Sequence, residues 1–456
     1  SSRHVQKIQE VGGQKMKKYD YILIGSGPAA YKLSNLLAKT SRKVLVVDGD
    51  EFGGTCPNYG CEPKIFLEGA TRVVLQSQQL QGRGIKQAAS IDWRELMATK
   101  LNRFNSWPEE TKAIIAKSHD VESGYAHFVD DNTIEVNGHQ YQSNQIVIAT
   151  GQRSHRLAIP GEQFTHTSRD VLSLPHLPQH VTFIGGGYVA MELATVLGAA
   201  GASITIIDHS ARPLKAFPAS KVQVVTEAME KRGIEFLMNT SVQGVRQQDE
   251  GFIVQTDQGE IPTDYVVDTS GRQPNIDRLA LAVANVNSAR GGIIVNEHLQ
   301  TSNPNVYAIG DVISRPQPKL TPVAEFEGEY LFDYLEGKTT AAIKYPTIGT
   351  AAFTFPEIAE AGVKEEVARG NSQYQTKTLN LKYSSLAAGQ NDQTGKLTLI
   401  FEGDALVGVS AVGDNAADDV NNFLPVIGLR ITGEEYRQAI IAIYPALADK
   451  VAGGLI

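Results

Sequence analysis

Residues 21–30 read YILIGSGPAA, a short apolar run that leads into a glycine-rich turn. The first four residues predict a strand, and Ala29–Thr40 predicts the helix that follows it. A second strand is expected at Val44–Val47, and Asp48 ends it, 21 residues after Gly27. This pattern is the dinucleotide-binding fingerprint. Its glycines let the backbone approach a pyrophosphate at a helix N-terminus, and its acid accepts hydrogen bonds from ribose hydroxyls.

The same unit returns 160 residues further along the chain. Val181–Ile184 predicts a strand, Gly185-Gly186-Gly187-Tyr188-Val189-Ala190 the turn, and Ile204–Ile207 the next strand. Asp208 stands 21 residues after Gly187, in the position of the first acid. One glycine triplet is weak evidence because ordinary tight turns also use glycine. Two copies in the same strand–turn–helix–strand context indicate two dinucleotide sites, and hence two cofactors that exchange electrons.

Composition excludes several classes of protein. The 456 residues suggest about three domains, and 42% hydrophobic with 20% charged residues is typical of a globular chain. The net charge of -8 comes without a basic block, so neither a nucleic acid nor an anionic membrane is expected as partner. The longest apolar candidate, Tyr188–Ala200, is interrupted by Glu192, so no membrane span is expected. Met16 is interpreted as the native start, and residues 1–15 as a leader that is either added or a loose extension.

The chain has two cysteines, Cys56 and Cys61, separated by four residues. No secretory signal precedes them, which predicts a reducing, cytoplasmic location, where a close pair is more often catalytic or metal-binding than structural. A structural zinc needs four ligands, and no histidine lies near the pair in sequence. We therefore predict a redox pair and no metal; an inert buried pair is the alternative.

The motif Gly53-Gly54-Thr55-Cys56-Pro57-Asn58-Tyr59-Gly60-Cys61-Glu62-Pro63-Lys64 resembles the active-site helix of the pyridine nucleotide-disulfide oxidoreductases, the family of glutathione reductase, lipoamide dehydrogenase and mercuric reductase. The likeness continues through Ala149-Thr150-Gly151, Gly310-Asp311, Leu320-Thr321-Pro322-Val323-Ala324 and Pro356-Glu357-Ile358-Ala359. It implies an α/β fold with two Rossmann-like, FAD- and NAD(P)H-binding domains plus an α+β C-terminal dimerisation domain, in a homodimer. The expected divisions are 1–15 leader, 16–150 and 271–344 FAD-binding, 151–270 NAD(P)H-binding and 345–456 dimerisation.

The resemblance implies an electron relay. Hydride passes from NADH or NADPH to FAD, and the electrons then reduce the Cys56–Cys61 disulfide. Cys61 is expected to face the flavin as the charge-transfer thiolate, and Cys56 to exchange with substrate. Because the pair lies at a helix start, the helix dipole is expected to lower the thiol pKa.

The resemblance also assigns roles to other residues. Lys64 and Glu192 match an ion pair near the reactive edge of the flavin, and Tyr188 an aromatic gate over it; surface charge and plain packing are the alternatives. Asp311 is expected to bond the ribityl chain. The implied FAD-binding residues are Gly25, Gly27, Pro28, Ala29, Asp48, Gly54, Thr55, Lys64, Tyr125, Ala126, Thr150, Gly151, Gly310, Asp311 and Thr321. The implied nicotinamide-binding residues are Gly185, Gly187, Tyr188, Val189, Asp208, His209, Arg212, Lys215, Gly271 and Arg272.

The choice between NADH and NADPH rests on three residues. Asp208 favours the ribose hydroxyls of NADH and repels a 2′-phosphate. Arg212 and Lys215 follow closely and could accept that phosphate. We predict NADH as the preferred donor, with NADPH as the alternative.

The chain departs from the family at the C-terminal acid–base motif. The family pattern is His-Pro-Thr with a Glu three residues later, whereas this chain has Tyr444-Pro445-Ala446-Leu447-Ala448-Asp449, and no histidine follows His298. A tyrosine with a pKa of about 10 is a poor base at neutral pH. Tyr444 is therefore expected to donate a hydrogen bond or proton; packing at the dimer interface is the alternative.

Glutathione recognition is also altered. Two positions that carry Arg in glutathione reductases align with Asn35 and Glu329, and the extra C-terminal cysteine pair of mercuric reductase is absent. The sequence predicts an FAD-dependent NAD(P)H:disulfide oxidoreductase that acts on a small disulfide or another small electron acceptor, inefficiently on glutathione. Alternatives are an NADH diaphorase or oxidase, a metal-ion reductase, and, in another class, a non-catalytic flavoprotein redox sensor.

Overall fold

The computed structural model describes residues 16–455, so the leader expected at 1–15 lies outside the described residues. The chain divides into two compact units. The first contains residues 16–63 together with Asn102–Arg153 and Arg272–Lys344. The second contains Lys64–Leu101, Ser154–Gly271 and residues 345–455.

The strands of the described chain are β1 (Lys17–Ile24), β2 (Val44–Asp48), β3 (Asp120–Ser123), β4 (His127–Phe128), β5 (Thr133–Val136), β6 (His139–Ile148), β7 (Gln152–Ser154), β8 (Thr165–His166), β9 (His180–Ile184), β10 (Ser203–Ile207), β11 (Glu235–Leu237), β12 (Val242–Gln248), β13 (Gly251–Thr256), β14 (Gly259–Thr263), β15 (Tyr265–Asp268), β16 (Arg272–Pro274), β17 (Ser288–Ala289), β18 (Gly292–Ile293), β19 (Val306–Ala308), β20 (Gly349–Ala352), β21 (Glu357–Gly362), β22 (Gln375–Asn380), β23 (Lys396–Glu402) and β24 (Ala405–Gly413). Its helices are α1 (Pro28–Leu37), α2 (Thr55–Tyr59), α3 (Cys61–Gln79), α4 (Trp93–Phe104), α5 (Trp107–Ala116), α6 (Ser168–Val171), α7 (Tyr188–Ala200), α8 (Ala219–Lys231), α9 (Thr321–Leu335), α10 (Glu365–Ala368), α11 (Ser385–Gln390), α12 (Ala416–Leu429), α13 (Gly433–Ala439) and α14 (Lys450–Gly454).

The first unit is built on a seven-stranded sheet of order β3-β2-β1-β6-β5-β4, with β19 also paired to β6. Strands β3, β2, β1, β6 and β19 run parallel. Their apolar residues are buried on both faces, as expected of a parallel sheet covered by helices. Ile24 pairs with Val47 and with Ile148, so three strands end at one edge. The strands and the helix predicted around Gly25 are confirmed.

The second unit contains a parallel sheet of order β11-β10-β9-β15-β8. Ile184 pairs with both Ile207 and Asp268, which brings the ends of three strands together beside Gly185. The second copy of the strand–turn–helix–strand unit is therefore confirmed. A three-stranded antiparallel sheet, β12-β13-β14, is inserted before β15 and was not part of the sequence prediction.

The C-terminal part of the second unit is an antiparallel sheet of order β20-β21-β24-β23-β22. Because successive residues of a strand alternate between faces, Leu397, Leu399 and Val409 share one face, in a core with Phe423 of α12. Ile358 and Val412 point to the opposite face, in the core that contains Val222 of α8. This combination of an antiparallel sheet with helix α12 (Ala416–Leu429) agrees with the α+β architecture expected for the C-terminal domain.

Candidate active site

The first glycine turn requires glycine for steric reasons. Gly25 has a φ of 109°, and a Cβ there would lie 2.3 Å from the carbonyl oxygen of Ala149. A Cβ on Gly54 would lie 2.7 Å from the Cα of Gly27, so the turn and the cysteine segment meet backbone to backbone. Pro28 and Ala29 then begin α1, whose N-cap Gly27 offers no side-chain cap. The first backbone N–H groups of α1 thus remain available for a pyrophosphate.

Asp48 holds the turn in place at the end of β2. Its Oδ2 accepts hydrogen bonds from the backbone N (2.9 Å) and Oγ (2.5 Å) of Ser26, and its Oδ1 accepts one from the N of Asp50 (2.9 Å). Burial raises the pKa of Asp48 above its ordinary value, because its effect outweighs that of these hydrogen bonds, which lower the pKa. A carboxylate offers about four lone-pair sites, so Asp48 can still accept a hydrogen bond from a ribose hydroxyl, and ribose binding stays a prediction.

The residues around Asp311 fit a hydroxyl-rich ligand such as FAD. The Oδ1 of Asp311 is buried and accepts no hydrogen bond from any residue between 16 and 455, with the guanidinium of Arg315 at the longer distance of 4.0 Å. A buried carboxylate oxygen without a donor is costly unless a ligand supplies one. Gly310 precedes it with a φ of 77°, and a Cβ there would approach the Cβ of Ala29 to 3.2 Å. Both members of the Gly310-Asp311 motif are thus brought to the start of α1.

The remaining FAD-binding candidates of the first unit lie on its surface or its loops. Tyr125 is exposed, covers Gly49, and lies 4.0 Å beneath the guanidinium of Arg278, which the sequence analysis missed. Ala126 beside it is buried. Thr150 donates its hydroxyl to the carbonyl of Asn275 (2.7 Å). The others are Gly151, which has a φ of 65°, and Thr55, which begins α2. Arg272, a nicotinamide-binding candidate, also lies in this unit and donates to the carbonyl of Gln152.

The redox candidates stand at a helix boundary. Cys56 lies in α2, Cys61 begins α3, and both are thiols. The Sγ of Cys61 lies 3.7 Å from the Oγ1 of Thr321, a side-chain contact that the resemblance did not assign. The hydrogen bond to Cys61, together with burial, raises the pKa of the Cys56 thiol. The predicted lowering of the thiol pKa is therefore wrong for Cys56, because two adjacent sulfurs retain one proton between them once the other is lost.

Lys64 and Glu192 form a buried ion pair in the second unit. The Nζ of Lys64 donates to the Oε2 of Glu192 (2.7 Å), and Glu192 is 3% exposed. The Oε1 of Glu192 accepts from the backbone N of Phe353 (2.8 Å), and the ring of Phe353 lies 4.8 Å from the ammonium. Both carboxylate oxygens of Glu192 thus accept hydrogen bonds, and the ammonium of Lys64 also contacts an aromatic ring. The alternative of an ordinary surface pair is excluded by this burial.

Glu68 lies one turn beyond Lys64 on α3 and is also buried. Burial raises the pKa of Glu68 to about 8, with Lys64 opposing the shift and the carboxylate of Glu192 adding to it. The sequence analysis missed this residue because an acid four positions from a lysine on a helix is typical of an exposed pair.

We expect Glu68 to make the free energy of unfolding depend on pH. Its pKa is higher in the folded chain than the ordinary 4.5, so the folded chain binds the proton more tightly. The contribution is complete below about pH 4.5, is lost as pH rises through about 8, and amounts to at most about 5 kcal/mol. Glu68→Gln should remove it and stabilise the protein above pH 8. Urea unfolding between pH 6 and 9 measures this; Glu62→Gln, at an exposed position of α3, is the control. Parallel pH profiles for wild type and Glu68→Gln would contradict the assignment.

The second glycine turn repeats the geometry of the first. Gly185 has a φ of 104°, and a Cβ there would lie 2.6 Å from the carbonyl oxygen of Thr269. Asp208 accepts hydrogen bonds from the backbone N of Gly186 (2.7 Å) and of Ser210 (2.8 Å). Burial would raise the pKa of Asp208, but these hydrogen bonds outweigh it and hold the pKa below its ordinary value. Asp208 therefore carries a negative charge beside the turn at neutral pH.

The other nicotinamide candidates surround this turn with different degrees of constraint. Arg212 donates to the carbonyl oxygens of Leu214 (3.0 Å) and Lys215 (3.2 Å), so its guanidinium closes its own loop. The side chain of Lys215 is exposed. Gly187 is the N-cap of α7, which begins with Tyr188, 48% exposed, and half-buried Val189. His209 is exposed and lies 3.6 Å from Asp208. Gly271 accepts from the N of His155 (2.9 Å).

Tyr444 and Asp449, the C-terminal acid–base candidates, are not hydrogen-bonded to each other. Tyr444 is 79% exposed. Asp449 accepts a hydrogen bond from the backbone N of Ala446 (2.9 Å) and so caps a short 3-10 helix. At the two altered glutathione positions, Asn35 is exposed on α1, while Glu329 pairs with Lys32 at 3.2 Å. Lys32 is a cation that the sequence analysis did not consider.

Comparison with known proteins defines the class. Residues 19–328 match the pyridine nucleotide-disulphide oxidoreductase family, and residues 348–453 match the dimerisation domain of the same family. The chain belongs to this family. It is an FAD-dependent NAD(P)H disulfide oxidoreductase, and its dimerisation domain supports a homodimer.

The individual relatives differ in their substrates. The chain is 29% identical to glutathione reductase of Nostoc sp., over 95% of this chain and 98% of that protein. It is also 29% identical to dihydrolipoyl dehydrogenase of Geobacillus stearothermophilus, over 94% of this chain and 93% of the relative. The HOCl-induced flavoprotein disulfide reductase RclA of Escherichia coli has a similar fold, with a TM-score of 0.85 at 24% identity over 95% of this chain and 98% of RclA.

Between residues 16 and 455, no helix is both long and apolar enough to cross a membrane. In the same range, no group of three or more His, Cys, Asp or Glu side chains is placed to hold a metal ion.

Proposed function

We propose that this oxidoreductase reduces a small disulfide, or another small electron acceptor, that is not glutathione disulfide. We further propose that it acts as a cytoplasmic homodimer and prefers NADH. The observation that carries the substrate proposal is the pair Tyr444 and Asp449. These residues stand where the family pattern has a His and its orienting Glu, yet Asp449 is bound to backbone instead of to Tyr444. A site without an oriented base favours an acceptor that needs little proton management.

The chemistry follows from the residues of the chain. Bound FAD would supply the two-electron carrier between the nicotinamide and the disulfide. Gly25, Gly27 and Asp311 would hold it, and Thr321 would donate a hydrogen bond to the Cys61 thiolate, which a charge-assisted bond stabilises. The family likeness implies a role for Lys64 as well. Its ammonium, which Glu192 holds in place, would put a positive charge near the reactive edge of the flavin.

Reduction of a disulfide substrate takes two thiol–disulfide exchange steps. The Cys56 thiolate attacks one substrate sulfur, the substrate S–S bond breaks, and the first substrate thiolate leaves. Cys61 then attacks the Sγ of Cys56, which releases the second thiolate and restores the Cys56–Cys61 disulfide. The two protons of the cysteine thiols leave with the two product thiols. A base speeds the first step, so its absence at Tyr444 limits turnover there.

A second candidate is a diaphorase, oxidase or metal-ion reductase. The lack of an oriented base at Tyr444 and Asp449 supports it, because electrons could pass to a quinone, oxygen or metal ion without such a base. Anaerobic titration with NADH tests the relay, and steady-state assays with disulfides, quinones and copper(II), which an RclA structure of similar fold holds, test the acceptor. Reduction without turnover on any acceptor would favour the redox sensor.

We expect a higher kcat/KM with NADH than with NADPH, because the negative charge of Asp208 repels a 2′-phosphate. Asp208→Asn should shift the ratio toward NADPH at least tenfold, about 1.4 kcal/mol. Steady-state kinetics with both donors measure the ratio. Glu230→Gln removes the same charge from an exposed position of α8 and should leave the ratio unchanged. A tenfold preference of the wild type for NADPH would defeat the proposal.

A further inference from the structure

A cavity of about 690 Å³ lies in the second unit, between helix α8 and the C-terminal sheet. Its volume is within the range of sites for small organic ligands and exceeds what a single ion needs. Ser220 and Lys221 line it from the start of α8, Arg369 from the end of α10, and Thr378 and Thr398 from the sheet. None of these residues belongs to the glycine turns or to the cysteine pair.

The sheet face toward this cavity carries a continuous row of polar side chains. Glu360 pairs with Ser410, Ser410 with Thr398, and Thr398 with Thr378, so the row crosses four adjacent strands. Glu360, Ser410 and Thr398 are each buried. The same face is apolar at Ile358 and Val412, which pack in the core. Buried polar side chains are costly without partners, and these have partners within the chain: Ser410 donates to Glu365, Thr398 accepts from Lys221, and Glu360 pairs with Lys364. Thr398 and Thr378 line the cavity, so its sheet side is polar.

Lys221 is the centre of the polar wall. It is 4% exposed, and its Nζ donates to the Oγ1 of Thr398 (2.8 Å) and pairs with the carboxylate of Glu365. Glu365 also accepts a hydrogen bond from Ser410. Burial lowers the pKa of Lys221, and Glu365 opposes this. A lysine is almost never buried to this degree unless it is paired.

The charges of the residues that line the cavity are unbalanced, and the nearby carboxylate of Glu360, which does not line it, pairs with Lys364. Glu365 is the carboxylate of the lining and is already matched by Lys221. Arg369 and Lys396 also line the cavity, and both are exposed at its mouth. The lining thus carries three cations against one carboxylate, with the hydroxyls of Tyr374, Thr376 and Thr378 as further donors.

We propose that this cavity is a binding site for a small polyanion, a molecule that bears two or more phosphate or carboxylate groups. Arg369 and Lys396 pair with its charged groups at the mouth. The hydroxyls of Tyr374, Thr376 and Thr378 donate to its remaining oxygens. Lys221 and Glu365 hold the inner wall in a fixed, hydrogen-bonded arrangement. The site is separate from the nicotinamide turn at Gly185, so both sites can be occupied together.

Inorganic pyrophosphate tests the site in the full-length, FAD-loaded protein. Saturating NAD⁺ fills the nicotinamide site, sodium chloride keeps the ionic strength constant, and titration calorimetry measures binding. We expect saturable binding with a dissociation constant below about 1 mM. Arg369→Met and Lys396→Met should each weaken it at least tenfold, because each removes a charge-assisted contact but keeps a long side chain. Both positions are exposed, so these variants should fold.

Lys231→Met is the matched control, because it removes an exposed cation from the end of α8, which does not line the cavity. It should bind pyrophosphate as the wild type does. Absence of saturable binding to the wild type would overturn the proposal. Binding that is unchanged in both Arg369→Met and Lys396→Met, or weakened equally in Lys231→Met, would also overturn it, since it would place the anion elsewhere or reduce the effect to net charge.

Discussion

Cys61→Ser should retain FAD but lose the long-wavelength charge-transfer absorbance and at least about 1000-fold of its disulfide turnover. The charge-transfer band requires a thiolate beside the flavin, and the resemblance assigns that role to Cys61. The contact of its sulfur with the hydroxyl of Thr321 supports the assignment, because that hydroxyl can donate to a thiolate. Serine removes the polarisable sulfur and, at neutral pH, the negative charge. Anaerobic reduction with NADH, followed by absorbance and by turnover with the best disulfide acceptor, measures both losses.

Cys56→Ser is the matched control for this prediction. It also prevents the disulfide from forming, so turnover is lost, but it leaves Cys61 as a lone thiol. The largest cause of the raised pKa of Cys56 is its hydrogen bond with Cys61. When Cys56 is replaced, Cys61 no longer shares a proton with a second thiol. We therefore expect the charge-transfer band to persist in Cys56→Ser without added NADH. A band that survives in Cys61→Ser and disappears in Cys56→Ser would reverse the two roles.

Local sequence patterns were enough to predict the two nucleotide-binding units. The strand before Gly25, the turn and the acid at Asp48 lie within one short stretch, and so do their counterparts at Gly185 and Asp208. Each glycine is required by an approach to a neighbouring strand end, at Ala149 and at Thr269. Such sites are predictable because one steric requirement links a single residue to its conformation.

Interactions between distant segments could not be predicted in the same way. Glu192 was expected to pair with Lys64, but its second oxygen accepts from the backbone of Phe353, 161 residues away. A backbone donor leaves no trace in the residue type. The raised pKa of Glu68 depends on burial, which the sequence around α3 does not reveal. The wrong expectation for Cys56 has the same origin, because the helix dipole is a local property whereas the proton shared with Cys61 depends on how the two sulfurs meet.

Glutathione disulfide should be a poor substrate, with turnover about 100- to 10,000-fold below that of a site with general acid–base assistance. Tyr444 carries a phenol, and a phenol is a poor general base at neutral pH. Asp449 does not orient it, because that carboxylate accepts from Ala446. The exposed Asn35 and the paired Glu329 further reduce the attraction of a negatively charged substrate. Steady-state turnover with glutathione disulfide and NADH measures the effect.

Variants at Tyr444 separate a chemical role from packing. Tyr444→His supplies an imidazole with an ordinary pKa of about 6.5, and we expect it to raise turnover with glutathione disulfide at least tenfold. Tyr383→His is the control, because Tyr383 is 78% exposed and Tyr444 is 79% exposed, but Tyr383 lies outside the acid–base motif. Tyr444→Phe should lower turnover with the best acceptor if the phenol donates a proton or hydrogen bond; no change would leave Tyr444 as an interface residue. Wild-type turnover with glutathione disulfide as fast as with the best other acceptor would contradict the substrate proposal, because that proposal rests on a site in which Asp449 binds the backbone of Ala446 and no base is oriented.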